Sequence, residues 1–414
     1  MTEPLANPKR KNPLDRTHQP LLPPGSRSRK AHGFTLAASV GRFMLQCCGE
    51  CGKYTYPARD ACPECLSHDL PFRDAPSGGI LLSQTRIEVT SDPYYREHMP
   101  WRTGLVRLDC GPVVVAHLHG NSGDVSSRLL LSQQLDRAGQ AVFFAKSATE
   151  TQNMEDDPQL RELTCDPKFR RVLITDGRSP VAPDLVRALL EAGAAKIFVG
   201  ISDRWKPFTQ QQLLETITGV ELVDLDLSSE RSVQDLARDL GAKVEILINT
   251  ADHVRPVHLF DASATNIARE AIEQTVMGLM RLASAFGPTM RARGADGDVG
   301  AVAWVNLLSV HALSSAAQFG VHSAAQAACL SLTQWLRHEL RAGGVRVVNA
   351  FSGPLDTEWF QTVPPPKVAP KALADAVVDG LKRGLEDIYV GDVAKDIIAR
   401  LLENPKAVER ENGQ

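Results

Sequence analysis

Four cysteines constrain this chain more than any other feature. Cys48, Cys51, Cys62 and Cys65 form two Cys-x-x-Cys pairs with ten residues between them. Each pair, carried on a tight turn, presents two thiolates to one ion, and four thiolates complete a closed tetrahedral shell. Gly49 and Gly52 let the first turn curl so that backbone N–H groups approach the sulfurs. Disulfides or redox dithiols are the competing use of such pairs. Turn residues inside both pairs, at this separation, favour zinc. Cys47 is left over, because using it breaks the two-residue spacing. A shell of four protein ligands has no open position, so the ion is structural and activates no water.

A length of 414 residues allows two or three domains. No apolar run approaches the roughly 18 residues of a membrane span, and the N-terminus lacks the apolar core of a signal peptide. Four of the eight cysteines fall in the metal pattern, which fits a reducing cytoplasm better than a disulfide scaffold. A net charge of −3 gives no general reason to expect nucleic acid or an anionic membrane as partner.

Residues 1–30 hold six prolines and seven Lys or Arg against two acids, and this composition predicts a disordered tail. Apolar spacing over Phe34, Leu36, Val40, Phe43 and Met44 predicts a helix leading into the cysteine ribbon. Strand-like segments follow at Ile80–Val89, Thr103–Asp109, Val113–His119 and Ala141–Ala145, with a hairpin turn at Gly111-Pro112. Such short strands suffice for a small barrel of the OB type. The first folded domain is therefore expected over 31–146. A polar, acidic stretch over 147–169 reads as a linker or a short connecting helix, with the domain boundary there.

From Arg170 the texture changes. Strands at Val172–Thr175, Lys196–Ile201, Val220–Leu225, Val244–Asn249, Val302–Leu308 and Val345–Phe351 alternate with helical stretches. Among the latter are Pro183–Ala192, Val233–Leu240, Ile267–Met290 and His322–Ala342. That alternation predicts an α/β domain over 170–404, a doubly wound parallel sheet of the Rossmann class.

The N-terminal half resembles the DUF35 family, zinc-ribbon and OB-fold proteins associated with acyl-CoA. The resemblance covers about residues 40–146 and rests on the Cys48-x-x-Cys51-Gly52 start, Tyr56-Pro57-x-Arg59, Cys62-Pro63-x-Cys65 and Ser77-Gly78-Gly79 leading to Thr85. Members of that family are partner subunits of thiolases and thiolase-like aldolases and help to bind CoA thioesters at a shared site. The resemblance thus implies contact with a catalytic subunit rather than chemistry. A barrel for single-stranded nucleic acid needs a basic groove with stacking aromatics. Tyr94, Tyr95 and Trp101 are available, yet seven Lys or Arg against six acids over Ile80–Lys146 argue against a phosphate-tracking groove.

The C-terminal half resembles a short-chain dehydrogenase/reductase. Val172–Thr175 matches the first strand, Asp226-Leu-Ser228 the segment after the third, and Asn249-Thr250-Ala251 the end of the fourth. Ser309 matches the catalytic serine, and Gly353-Pro354-Leu-Asp-Thr357 the later loop. The departures outweigh these matches. The family's glycine-rich turn reads Asp176, Pro180 and Ala182 at its three glycine positions, while Gly177 is displaced by one. Asp176 brings a carboxylate toward a pyrophosphate, against what a helix N-terminus offers an anion, and Pro180 deletes a backbone donor. Asp203 remains available to meet a ribose hydroxyl, though a loop Asp is commonly just solvated.

The catalytic Tyr and Lys positions hold His322 and Gln326, and the Asn position holds Thr275. A phenol with an ordinary pKa of about 10 needs the missing ammonium to lower it. No NAD or NADP is therefore expected, and no catalytic or cofactor-binding residue is assigned. Cys110, Cys165 and Cys329 lie in no thiolase-like motif.

Together the two resemblances imply a non-catalytic accessory subunit of a thiolase or thiolase-like aldolase in a degradative, β-oxidation-type pathway. A thiolase of anaerobic toluene degradation, acting on benzoylsuccinyl-CoA, is one concrete case. The second half would serve as scaffold, recruiting an active dehydrogenase subunit through its two long helices, where Ala283, Ala285, Ala324, Ala327 and Ala328 permit close contact. The runner-up is an oxidoreductase using His322 with Ser309, because imidazole titrates near neutrality. A nucleic-acid-binding protein comes third.

Overall fold

The computed structural model describes residues 2–10, 19–25, 28–203, 205–208 and 210–412. It divides into two compact units, built chiefly from Leu21–Asp166 and from Pro167–Lys382 with Glu386–Gln414. The expected tail over 1–30 lies partly outside the described residues. Within them it has folded partners: the Leu5 amide donates to Asp156, and Arg10 pairs with the buried carboxylate of Glu245 at 2.6 Å.

In the first unit, helix α1 (His32–Ser39) is shorter than its apolar spacing suggests. Gly41 follows at φ +71°, a left-handed position that glycine tolerates. The chain then turns into β1 (Met44–Cys47), which takes Met44 into a strand. With β2 (Tyr54–Thr55) and β3 (Phe72–Asp74) it forms a three-stranded sheet in the order β2-β1-β3. Phe34 meets Phe72 edge-on with ring centroids 5.0 Å apart, and Tyr56 meets Phe143 at 5.2 Å, joining ribbon to barrel in one core.

The barrel closes through β4 (Gly78–Ile87), β5 (Trp101–Leu108), β6 (Val113–Leu118), β7 (Arg128–Leu135) and β8 (Ala141–Ser147), in the order β4-β5-β6-β8-β7. Leu81, Val106, Leu118 and Leu129 fill it completely shielded from solvent. Strand β7 was not among the expected ones. Its polar end, Ser132-Gln133-Gln134, hides the alternation, yet Gln133 is buried and bonds both the N–H and the C=O of Met44, at 3.1 and 2.7 Å.

The stretch over 147–169 contains a short helix, the second of its two readings, and it is packed rather than free. After α2 (Pro93–Glu97) on the barrel side, α3 (Pro158–Leu163) packs back on the barrel. The Gln159 amide clamps both backbone groups of Arg102, at 2.6 and 3.0 Å. Glu162 receives Arg137 Nε at 2.9 Å and the Tyr94 hydroxyl at 3.1 Å, with His98 Nε2 at 3.4 Å.

The second unit is a seven-stranded parallel sheet in the order β11-β10-β9-β12-β13-β14-β15. Its strands are β9 (Arg171–Ile174), β10 (Lys196–Ile201), β11 (Val220–Asp224), β12 (Ile246–Asn249), β13 (Ala303–Ser309), β14 (Arg346–Ser352) and β15 (Asp387–Val390). The doubly wound expectation is met, with β15 added at the edge. Crossovers include α4 (Ala182–Glu191), α5 (Gln211–Thr216), α6 (Glu230–Leu240), α7 (Ala264–Ala271), α8 (Gly278–Arg293), α9 (Gly320–Arg341) and α10 (Pro370–Arg383). Past β15, α11 (Asp392–Glu403) and α12 (Pro405–Glu411) carry the fold beyond residue 404. The helix expected over Ile267–Met290 is broken by a π turn at Ile272–Met277, where the Thr275 hydroxyl donates to Ala271 O at 2.6 Å. Strand order reverses between β9 and β12, and doubly wound sheets place their ligand clefts at that switch point.

Candidate functional site

The four ribbon cysteines converge. Their sulfurs all lie within 4.8 Å of one another, with Cys48 to Cys65 at 3.5 Å and Cys51 to Cys62 at 3.6 Å. A tetrahedral zinc shell with bonds of about 2.3 Å sets neighbouring sulfurs about 3.8 Å apart, so the donor set fits the ion. The two knuckles are built alike. The amides of Gly52 and Leu66 donate to the carbonyls of Cys48 and Cys62, at 2.9 and 3.0 Å, from left-handed positions at φ +69° and +62°. Amides of Cys51 and Glu50 point at the Cys48 sulfur and bring its thiol down to about 6. Cys47 points away, its sulfur 3.5 Å from Gly52 O, and stays outside the cluster.

The second site is the cleft at the carboxyl ends of β9, β10 and β12. It encloses about 560 Å³ between Asp176, Arg178, Asp226, Thr250, Asp252 and Trp359, among others. The turn after β9 sets its character. Gly177 donates to Gly200 O at 2.8 Å, where a Cβ would stand 2.6 Å from Val199 Cγ1, so this glycine serves strand contact. The Arg178 amide is taken by the Asp176 carboxylate at 2.8 Å, and the Ser179 amide reaches Asp176 O at 3.3 Å. Pro180 has no N–H. Burial pushes the Asp176 carboxyl up, partly offset by its Arg178 partner. The Arg178 guanidinium is itself held by the carbonyls of Ser202, Asp203 and Lys206. These commitments leave no amide at 177–179 to cradle a pyrophosphate, and the turn does not fit one as a glycine-rich turn does. Asp203 is exposed on the cleft rim at φ +48°.

Deeper in, β13 and α9 bring Ser309, His322 and Gln326 together, as the resemblance to the short-chain dehydrogenases implied. Gln326 Oε1 accepts the Ser309 amide at 3.2 Å, and Ser309 Oγ accepts the His311 amide at 3.2 Å. Asp252, which follows Ala251 after β12, was missed in the sequence. Its Oδ1 lies 3.0 Å from His322 Nε2 and 3.0 Å from Gln326 Nε2. Partial burial works against the Asp252 carboxylate, but His322, the His253 amide and Gln326 outweigh it and hold it below the usual range. Desolvation, with His322 nearby, takes His311 down to about 4.

Burial raises Cys329 to about 11 and also raises Cys110, while Cys165 is buried. Ala324 and Ala327 face outward on α9, whereas Ala283 and Ala285 pack against the core. Between α8 and α9 runs a groove of about 270 Å³ lined by Leu279, Ala283, Leu332 and the half-exposed Trp335.

Residues 37–71 match the family model described as "ChsH2, rubredoxin-like zinc ribbon domain", and residues 170–367 match the short chain dehydrogenase model. The chain is 30% identical over 146 residues to a short-chain dehydrogenase of Talaromyces islandicus, which covers 34% of this chain and 48% of that protein. It is 25% identical over 215 residues to an uncharacterized oxidoreductase of Staphylococcus aureus, covering 50% of this chain and 89% of that one. The chain spans about half the length of the first curated relatives it matches. Among solved structures, a short chain dehydrogenase from Burkholderia cenocepacia in complex with NADP superposes with a TM-score of 0.53 at 28% identity, covering 59% of this chain and 98% of that one. No described helix is long and apolar enough to cross a membrane.

Proposed function

We propose that this chain, in which a ChsH2-type zinc ribbon precedes a short-chain dehydrogenase domain, is a non-catalytic accessory subunit of a thiolase or thiolase-like aldolase acting on acyl-CoA thioesters. One observation carries the reading. An acyl-CoA-associated ribbon is joined to a dehydrogenase frame altered at the pyrophosphate turn (Asp176, Pro180) and at the catalytic pair (His322, Gln326). Change at both places fits release from hydride transfer as a whole.

The ribbon and barrel supply the docking and CoA-binding module. The outward faces of β5 and β6 present Leu105, Val113 and Val115, which are 41–56% exposed, with Leu105 and Val115 directly paired. An apolar sheet face of this kind suits a partner protein better than solvent. The groove beside Trp335 offers an active dehydrogenase subunit a second surface. A benzoylsuccinyl-CoA thiolase is one such catalytic partner. The test is co-purification with a thiolase encoded beside this chain, paired with a thiolysis assay. Activity that appears or rises sharply on mixing supports the reading, and a thiolase fully active without this chain refutes it.

A second reading rests on the cleft of about 560 Å³ and on the His322–Asp252 pair: an NAD(P)-dependent oxidoreductase with an atypical base. Calorimetric titration separates the two. Micromolar uptake of either dinucleotide, with turnover lost in His322→Ala, establishes the second reading.

A further inference from the structure

The barrel closes, yet one of its strands outruns the closure. Strand β4 pairs with β5 as far as Ile87, whereas β7 covers its other side only over Gly78–Ile80. Backbone bonds from Leu81 to Ser126 and Ser127 extend that cover by one residue. A register shift between Leu81 and Ser83 marks where the two strands part. The Gln84 side chain still reaches Gly123 O at 3.2 Å. From Thr85 to Val89 the outer side of β4 has no backbone partner among the described residues.

The ladder fixes which groups this edge offers. Arg86 lies opposite Arg102, and Gln159 takes both backbone groups of Arg102, so neither is spent on β4. The two arginines are thus a non-hydrogen-bonded pair, and in an antiparallel ladder such residues turn N–H and C=O away from each other. Arg86 presents both groups outward, and Glu88, two residues on, falls in the same phase. The two side chains share a face, with Arg86 Nε 2.8 Å from Glu88 Oε1 and both more than half exposed. Val89 beyond them is 87% exposed.

We propose that this edge pairs, antiparallel, with the same edge of a second copy of the chain, about a two-fold axis through Ile87. A two-fold axis perpendicular to the sheet keeps every side chain on its own face, so it must pass through a residue. Centred on Arg86, the pairing sets Arg86 against itself. Centred on Thr85, it sets Gln84 against Arg86, and the arginine meets no acid. Centred on Ile87, Arg86 of each copy meets Glu88 of the other, and the same residues exchange their outward N–H and C=O groups. Ile87 then meets its own mate, and Thr85 meets Val89. Charges on an edge strand ordinarily turn a second strand away. Here the order Arg-Ile-Glu is its own complement, and opposite charges facing each other across strands stabilise. The pairing uses the rim of β4 and leaves the outward face of Leu105 and Val115 free, so it stands or falls independently of the thiolase reading.

The test is sedimentation velocity of the full chain over about a hundredfold range of concentration. Wild type should self-associate reversibly, and added salt should weaken the association. Arg86→Glu or Glu88→Arg alone sets like charges opposite each other and should weaken it about tenfold. Both positions are exposed, so each variant should melt like wild type. An equimolar mixture of the two variants should recover the association, because each edge then meets its opposite. Both exchanges in one chain should recover it as well. Ile87→Cys, on the axis, should cross-link to its mate under mild oxidation. Thr85→Cys should not, because the pairing holds residue 85 about 14 Å from its own mate. A wild type that stays monomeric throughout overturns the proposal. So do single variants that sediment like wild type, a mixture no tighter than its parts, or a Thr85→Cys protein that links as readily as Ile87→Cys.

Discussion

His322 Nε2 and Asp252 Oδ1 lie 3.0 Å apart, and the partnership ties the altered catalytic position to the strand end across the cleft. Asp252 also holds Gln326, so one carboxylate organises both residues that replace a dehydrogenase's Tyr and Lys.

Repair of the catalytic pair alone should therefore fail. In the variant His322→Tyr with Gln326→Lys, the new ammonium would meet Asp252 and form an ion pair, instead of lowering the phenol. The turn would still present Asp176 and Pro180. We expect no nicotinamide-dependent reduction of acetoacetyl-CoA by this double variant. Adding Asp252→Gly, Asp176→Gly and Pro180→Gly should bring measurable dinucleotide binding before it brings turnover. Change in nicotinamide absorbance reads the outcome, and turnover by the double variant alone would show that the turn is no obstacle.

The ribbon should hold about one zinc per chain. Its sheet has only three short strands, so the binding free energy of the ion is largely folding free energy. Cys48→Ser or Cys65→Ser should lose the metal and destabilise the first unit, while the second unit keeps its melting transition. Metal analysis with calorimetric melting checks this, and a stable, metal-free Cys48→Ser protein contradicts it.

Glu162 gives the first unit an acid-sensitive joint. Burial opposes its ionisation, yet Arg137, His98 and Tyr94 outweigh that and take the carboxyl from its ordinary 4.5 to about 2. A depressed carboxyl pKa contributes stability above the unfolded value, lost as pH falls from about 4.5 through about 2. At 1.36 kcal/mol per unit, the contribution near neutrality is roughly 3 kcal/mol. His98 runs the other way. Burial would lower its pKa, Glu162 raises it on balance, and its contribution fades as pH rises past that raised value. Glu162→Gln should cost about 2–3 kcal/mol at pH 7 and progressively less below pH 4.5. Denaturant melts across pH test it, and a penalty independent of pH would reject the assignment.

The cysteine ribbon was legible because its ligands sit in two local pairs, each with its own turn. The parallel sheet was legible because strand and helix alternate in runs long enough to show their period. What escaped depends on distant partners. Asp252 meets His322 across 70 residues, and nothing near either one announces the other. Strand β7 carries Ser132-Gln133-Gln134 just before its last residue, and Gln133 is buried against the backbone groups that Met44 offers it. Helix α3 was legible only as one of two readings, because sequence shows its charges without the cations and amides that bury them.

That helix also decides where the first unit ends. Gln159 replaces a missing strand neighbour, taking both the N–H and the C=O of Arg102 at the start of β5. Asp157 caps α3 through the Leu160 amide at 3.0 Å and also accepts the Gly120 amide at 2.8 Å. A fragment that stops at residue 146 loses all of these contacts. It also deprives Arg137 and Tyr94 of their bonds to Glu162, and a lost bond of this kind to a buried group costs about 1–3 kcal/mol. A fragment of residues 21–166 should therefore melt cooperatively and retain zinc, whereas 21–146 should be unfolded or lose most of its stability. Gln159→Ala in the longer fragment should reproduce part of the loss, about 1–3 kcal/mol. Circular dichroism melts of the three proteins decide it. Equal melting of 21–146 and 21–166 would mean that α3 only rests on the barrel and that the boundary belongs at β8.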